Sequence, residues 1–224
     1  MSVVSETVDW LAESSHWSGV DGIPQRLLEH LGYTGLTVAV GSVVALPLGL
    51  WIGHTGRLRS VAVATTGALR ALPTLGLLTL VVLFSGIGLV APVLALTILA
   101  IPPLLAGAYA GLESVDRETI DAARAQGMTE WQILAKVEIP LALPIIVGGL
   151  RSATLQVVAT ATVAAYVGLG GLGRFIIDGQ AVQDYPQMLS GAVLVVVLAL
   201  VLDIAFALAQ RLATGARVPA TTSS

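Results

Sequence analysis

Residues 71–112 read ALPTLGLLTLVVLFSGIGLVAPVLALTILAIPPLLAGAYAGL, uninterrupted by any Asp, Glu, Lys or Arg. A helix needs roughly 20 apolar residues to cross about 30 Å of hydrocarbon. This run is therefore long enough for two crossings, and the cluster Ser85-Gly86-Ile87-Gly88 marks a turn between them. Working outward, three further charge-free runs carry the same signature: Gly32–Gly53, Ser152–Gly173 and Tyr185–Leu202, the last ended by Asp203. They are continuous rather than alternating in polarity, so helices and not barrel strands satisfy the backbone in lipid. The sequence predicts an all-α integral membrane protein with about five transmembrane helices. These are placed at about Thr34–Ile52, Ala64–Phe84, Leu89–Tyr109, Leu143–Tyr166 and Leu189–Gln210. Pro47, Pro73, Pro92, Pro102 and Pro103 fall in or at the ends of these segments and predict kinks whose freed carbonyls neighbours re-satisfy.

Composition agrees. Of 224 residues 55% are hydrophobic and 11% charged, against about a quarter charged in soluble domains. That balance argues against a soluble enzyme or a disordered chain. A net charge of −3 provides no basic surface for nucleic acid, and the absence of cysteine excludes disulfides and thiol chemistry. Arg57, Arg59, Arg117, Arg124, Lys136, Arg211 and Arg217 fall on one side of the predicted spans, against Arg26 and Arg174 on the other. Arg70 and Arg151 lie near the seven-charge ends of their spans, where they can snorkel. The positive side is cytoplasmic, which predicts N-terminus out and C-terminus in. Tyr33, Trp51, Phe84, Tyr109 and Tyr166 stand near span ends, as an aromatic belt would.

Residues 1–30 hold Glu6, Asp9, Glu13, Asp21 and Glu29 without the basic start and apolar core of a signal peptide. They are expected to form an acidic extracytoplasmic tail with a short surface helix around Val8–Ala12. Residues 31–214 form the transmembrane domain, with a cytoplasmic loop at 113–140 between spans three and four. Residues 215–224, small and polar, are expected to be a disordered cytoplasmic tail.

The loop is the one long charged stretch: GLESVDRETIDAARAQGMTEWQILAKVEIPLALP, residues 111–144. A helix is predicted from Arg117 to Gln126, with Gly127 as its left-handed stop. Thr129 with Gln132 three residues on reads as a capping box, opening a second short helix to about Val137 that ends before Pro140. Helices this short are marginal alone in water, so they must lean on the bundle or on a partner.

Asp121-Ala122-Ala123, Gly127, Val137, Pro140 and Pro144 resemble the "EAA" loop of ATP-binding-cassette importer permeases, with Asp for Glu and Val for Ile. Asp121 is shorter than Glu, so a contact made by the family's carboxylate does not carry over automatically. The segments HLGYTGLTVAVGSVVALPLGLWIG, LRALPTLGLL, VEIPLALPIIVGGLRSATL and YVGLGGLGRFIIDG extend the likeness over roughly His30–Leu212. They look like the compact permeases of the osmoprotectant branch, which take up glycine betaine, choline, carnitine and similar solutes. The similarly short methionine-importer permeases are the competing branch.

The resemblance implies a permease in the prokaryotic cell membrane, coupled through that loop to cytoplasmic ATPase subunits. It further implies an extracytoplasmic solute-binding protein and a second permease, identical or sister, with no nucleic acid involved. Transport would proceed by alternating access. No cofactor is implied on this chain, ATP and Mg²⁺ belonging to the ATPase. There is no phosphate-binding loop, and His16, His30 and His54 lack metal-ligand spacing. The chain is thus not expected to be an enzyme. A non-transporting membrane subunit and a passive channel are the alternatives from other classes.

Four patterns remain. Gly168-x-Gly170-x-x-Gly173 mimics a dinucleotide fingerprint but follows a span rather than a strand; with Gly171 these glycines are read as a tight turn at the outer mouth. Gly41, Ala45, Gly49 and Gly53 form a small-residue ladder that suits packing either within the chain or against a second copy. Ser152, Gln156 and Thr160 share one face of the fourth span, a candidate solute path or a hydrogen-bonding seam. Asp203 is an intramembrane acid that needs a partner, and Arg151 is the candidate for an ion pair.

Overall fold

The computed structural model describes residues 2–215 and opens with helices α1 (Val3–Ala12) and α2 (Ile23–Thr55), joined by a 3₁₀ turn over Ser14–Trp17. Residues 216–224, with Arg217 and nearly all of the expected 215–224 tail, lie outside the described residues. α1 is longer than the expected Val8–Ala12 because Ser2 caps it, accepting from the Ser5 N–H. It packs on the last helix of the chain, with Trp10 stacked on His16 at 3.8 Å and edge-on to Phe175 at 5.4 Å.

α2 begins well before the predicted start at Thr34, at Gly22-Ile23-Pro24. Proline suits the first helical turn, where its missing N–H costs nothing. Residues 23–30, placed with the tail by the sequence reading, are therefore the first turns of this helix. α2 ends at Gly56, whose φ of +68° lets its N–H close on Ile52 O.

The second predicted span, Ala64–Phe84, is not one rod. It is α3 (Arg59–Arg70) and α4 (Thr74–Ser85), bent by 91°. The corner holds Leu72-Pro73: the residue before proline is pushed out of helical conformation, and proline has no N–H to continue the ladder. Among the described residues four helices are long and apolar enough to cross a membrane, or five if this bent pair is one span.

α5 (Val90–Glu113), α6 (Arg117–Ala125) and α7 (Glu130–Ile133) follow. α7 does not stop near Val137, as the pattern around Pro140 suggests. It runs through a π turn, Leu134–Glu138, straight into α8 (Ile139–Ala161). The Ile139 N–H reaches back five residues to Leu134 O, and that extra residue absorbs the proline without breaking the helix. A 3₁₀ turn, Thr162–Val167, then α9 (Gly173–Val182) and α10 (Tyr185–Gly215) complete the chain.

α5 is the centre of the bundle, with α2 on one side and α8 on the other. Small residues set both crossings. On the α2 side, a Cβ on Gly49 would lie 2.6 Å from Ala108 Cβ, and one on Gly53 2.8 Å from Leu112 Cβ. Gly41 and Ala45 continue the row toward Leu104 and Ala100. The ladder thus packs inside this chain. On the α8 side, Gly107 and Gly149 meet backbone to backbone. Exposed apolar side chains line the outer faces, Val43 and Leu48 on α2, Leu83 and Phe84 on α4, Val196, Leu200 and Ile204 on α10. A surface of that kind fits hydrocarbon rather than water.

Candidate functional site

The site singled out by the sequence is the turn between α6 and α7. Asp116 caps α6 through the Glu118 N–H, and Thr129 with Gln132 forms a complete capping box on α7. Between them Gly127 has φ +82°. The Met128 N–H closes on Ala123 O at 3.2 Å and the Gly127 N–H on Arg124 O at 2.9 Å, a Schellman turn. Ala123 is buried under α6, while Asp121, Ala122 and Gly127 are exposed, with nothing within 4 Å of a Cβ at Gly127. Trp131, 80% exposed, projects from α7. The remaining residues of the pattern sit elsewhere: Val137 in the π turn, Pro140 and Pro144 in α8.

Charged side chains brace the turn. Arg124 holds both carboxylate oxygens of Glu130 (2.8 and 3.0 Å) and Asp121 at 3.1 Å. These hydrogen bonds, Glu130 first, push the Arg124 guanidinium further above its ordinary value. Glu130 in turn lies 3.4 Å from His54 Nε2, at the end of α2, and His54 Nδ1 is 2.5 Å from Glu138. Arg59 pairs with Glu113 at 2.7 Å. Asp121, Arg124, His54, Glu138, Arg59 and Glu113 border an open cavity of about 530 Å³ between α6 and the ends of α2 and α5.

The sequence pattern assigns no pairing to His54, Glu130 or Glu138. A usable signal existed: Glu138 is an acid set against an apolar Ile-Pro-Leu-Ala-Leu-Pro run, and such acids need a partner. Nothing local named His54, which is 84 residues away.

Arg151 and Asp203 form a bidentate pair, Nε–Oδ1 2.6 Å and Nη2–Oδ2 2.7 Å. Gln210 joins them, accepting from Arg151 at 3.3 Å and donating to Pro144 O at 3.0 Å. Removing one partner strands the other charge. Asp203→Asn is expected to reduce the amount of folded permease recovered from membranes, and Arg151→Gln in the same chain to restore it. Full recovery of the single variant would show the pair to be dispensable.

On the proposed polar face, Ser152 is exposed and Thr160 donates to Gln156 O in its own helix. Gln156 has a specific structural task. Pro103 has no N–H, so Leu99 O loses its helical partner, and Gln156 Nε2 donates to that oxygen at 2.7 Å. Gln156→Leu is expected to cost about 1–3 kcal/mol, read as a fall in melting temperature of the detergent-purified protein. Unchanged melting would remove the structural role, and unchanged uptake kinetics at normal expression would remove Gln156 from the solute path.

At the opposite end of the bundle, the glycine segment is pinned to α2. Glu29 accepts the Gly171 N–H at 2.8 Å and pairs with Arg26 at 2.9 Å; Arg26 also holds Asp21. Gly168 and Gly171 have φ of +83° and +90°, and a Cβ on Gly170 would overlap the Glu29 carboxylate. Buried His30 lies against the same turn, its Nε2 3.0 Å from Val158 O. The 3₁₀ turn Thr162–Val167 precedes these glycines, and α9 begins at Gly173. Among the described residues no three His, Asp or Glu side chains converge as a metal site.

Residues 45–214 match the family described as binding-protein-dependent transport system inner membrane component. The carnitine transport permease protein OpuCB of Listeria monocytogenes is 34% identical over 79% of this chain and 81% of its own length. The glycine betaine/carnitine/choline transport system permease protein OpuCB of Bacillus subtilis is 32% identical over 83% of this chain and 86% of its own. Among solved structures, a chain of the MetNI methionine ABC transporter in an inward-facing conformation superposes with a TM-score of 0.76. It is 27% identical, over 85% of this chain and 95% of that one. The chain belongs to this family, and is a helical, multi-pass permease component of the inner membrane.

Proposed function

We propose, from that membership, that the chain is the membrane-spanning subunit of an ATP-binding-cassette importer for small quaternary-ammonium osmoprotectants such as carnitine, glycine betaine and choline. The observation that carries the coupling role is the exposed α6–α7 turn, two short capped helices set at Gly127 between spanning helices α5 and α8. We take residues 113–140 as the cytoplasmic coupling loop of a transmembrane domain at 31–214, with Asp121, Ala122 and Gly127 at the docking surface and buried Ala123 seating α6 behind it. Val137, Pro140 and Pro144 carry its movement into α8. ATP hydrolysis with Mg²⁺ falls to a separate cytoplasmic subunit.

Alternating access follows from differential binding: ATP favours one arrangement of the ATPase pair, and the loop transmits that preference to the spans. A second permease, identical or sister, completes the path, since the single bundle is filled by the α2–α5–α8 packing. The Ser152–Gln156–Thr160 face is our candidate for the solute's route, and the Gly168–Gly173 turn for the outer mouth beneath a solute-binding protein. The osmoprotectant reading draws on what the sequence relatives transport; the resemblance to a methionine transporter keeps methionine in the test. Reconstituting the permease with its ATPase and binding protein, then offering labelled carnitine, glycine betaine, choline and methionine, is expected to give ATP-dependent uptake of quaternary ammonium solutes alone. Uptake of methionine instead would overturn the solute class, and flux without ATP would overturn the coupled mechanism.

A further inference from the structure

The coupling loop is joined to the first spanning helix by a buried clasp. Glu138 is 4% exposed at its side chain, and its carboxylate meets His54 Nδ1 at 2.5 Å. The other ring nitrogen of His54 lies 3.4 Å from Glu130. Each ring nitrogen of His54 thus faces a carboxylate of its own, one at the end of the π turn and one on α7. The contacts continue outward, from Glu130 to Arg124 and from Arg124 to Asp121 on the exposed face of α6. Across the adjoining cavity stand Arg59 with its partner Glu113, and Arg117.

The position of the clasp gives it a mechanical meaning. Glu138 closes the π turn, the one place where the continuous helix from α7 to α8 departs from α geometry. π turns are local faults in the helix ladder and frequently mark functional positions. A push on α6 and α7 arrives at this fault, and there the shared partner is His54, in the last turn of α2. α2 itself is locked to α5 by the small-residue ladder. Movement of the loop is thus delivered to α8 by continuity of the helix and to α2 by His54.

We infer that His54 is a positioning residue for transport: clasped between Glu138 and Glu130, it carries movement of the α6–α7 loop to the first spanning helix. This rests on the docking reading of the loop. The test uses the complete complex of permease, ATPase and binding protein. In His54→Ala the ATPase is expected to co-purify as in the unaltered chain and ATP turnover to persist, while solute taken up per ATP falls about tenfold or more. His54→Lys, which places a hydrogen-bond donor between the two carboxylates, is expected to recover at least half of that ratio. Glu138→Gln is expected to uncouple similarly, and the double variant with His54→Ala to be no worse than either.

Normal uptake per ATP in His54→Ala would overturn the inference. Loss of the ATPase from that variant would overturn it too, by making His54 part of the docking face. Failure of lysine to rescue would reduce His54 to packing. If the alanine variant does not accumulate in membranes, His54→Gln against His54→Lys reads the same ratio. Failure of the docking reading itself is seen separately, as an ATPase that stays fully bound in Gly127→Val.

Discussion

Gly127→Val is expected to strip the ATPase from the purified complex and to abolish ATP-dependent uptake, with the permease still inserted. Two effects combine. Gly127 sits at φ +82°, where an ordinary L-residue costs about 1–2 kcal/mol and a β-branched one more. The chain escapes that strain by giving up the Schellman turn, which sets the angle between α6 and α7. The Arg124–Glu130 brace spans the same corner, so it is lost with it. Two short helices that no longer present one surface lose most of their docking energy. A retained fraction on the order of 1%, equivalent to about 2.8 kcal/mol, is the expected pull-down result.

Gly127→Asn separates the turn from the surface. Asparagine tolerates the left-handed region, so this variant is expected to keep much more ATPase than valine does. Equal retention by the valine variant and the unaltered chain would end the assignment of this turn as the docking element. Helicity and membrane insertion need to be unchanged in both, since nothing in the bundle lies within 4 Å of a Cβ at this position.

The second large effect is at the heart of the bundle. In Gly149→Leu, the first added atom would lie 2.7 Å from Gly107 Cα and 2.9 Å from Pro103 O, both backbone. No side-chain rotation relieves a backbone clash, so α5 and α8 must separate. Overpacking a core usually costs about 1–3 kcal/mol; prising apart two central helices strips many more contacts. Gly149→Leu is therefore expected not to yield a monodisperse protein in detergent. Gly32→Leu, where nothing lies within 4 Å, is the matched control and is expected to behave as the unaltered chain. A Gly149→Leu variant that purifies and melts normally would show that the α5–α8 crossing has room for a side chain.

Much of this architecture was legible because lipid imposes long, charge-free helices, and charges mark where they stop. The spans, the break at Gly86 and Gly88, the Gly127 stop and the Thr129 capping box all follow from local backbone chemistry. The helix through Pro140 was misread for an equally local reason: proline's missing N–H signals an end only if the ladder cannot shift by a residue, and the π turn supplies that shift. The kink expected at Pro73 is present but sharper than a bend within one helix, a 91° corner, because proline within an apolar run is compatible with either a kink or a break.

What the sequence determined alone is what depends on neighbours along the chain and on the solvent: an all-helical membrane protein, its approximate spans, and a capped, charged loop with a glycine hinge. What only the tertiary structure decided is everything that depends on which faces meet. It set the Gly41–Gly53 ladder against α5, assigned Gln156 to the carbonyl that Pro103 leaves open, and drew Glu29 onto the Gly171 turn. It also brought His54 to Glu138 across 84 residues. Contacts of that range come from the crossing of whole helices, whose geometry the packing of small residues sets and no local pattern records.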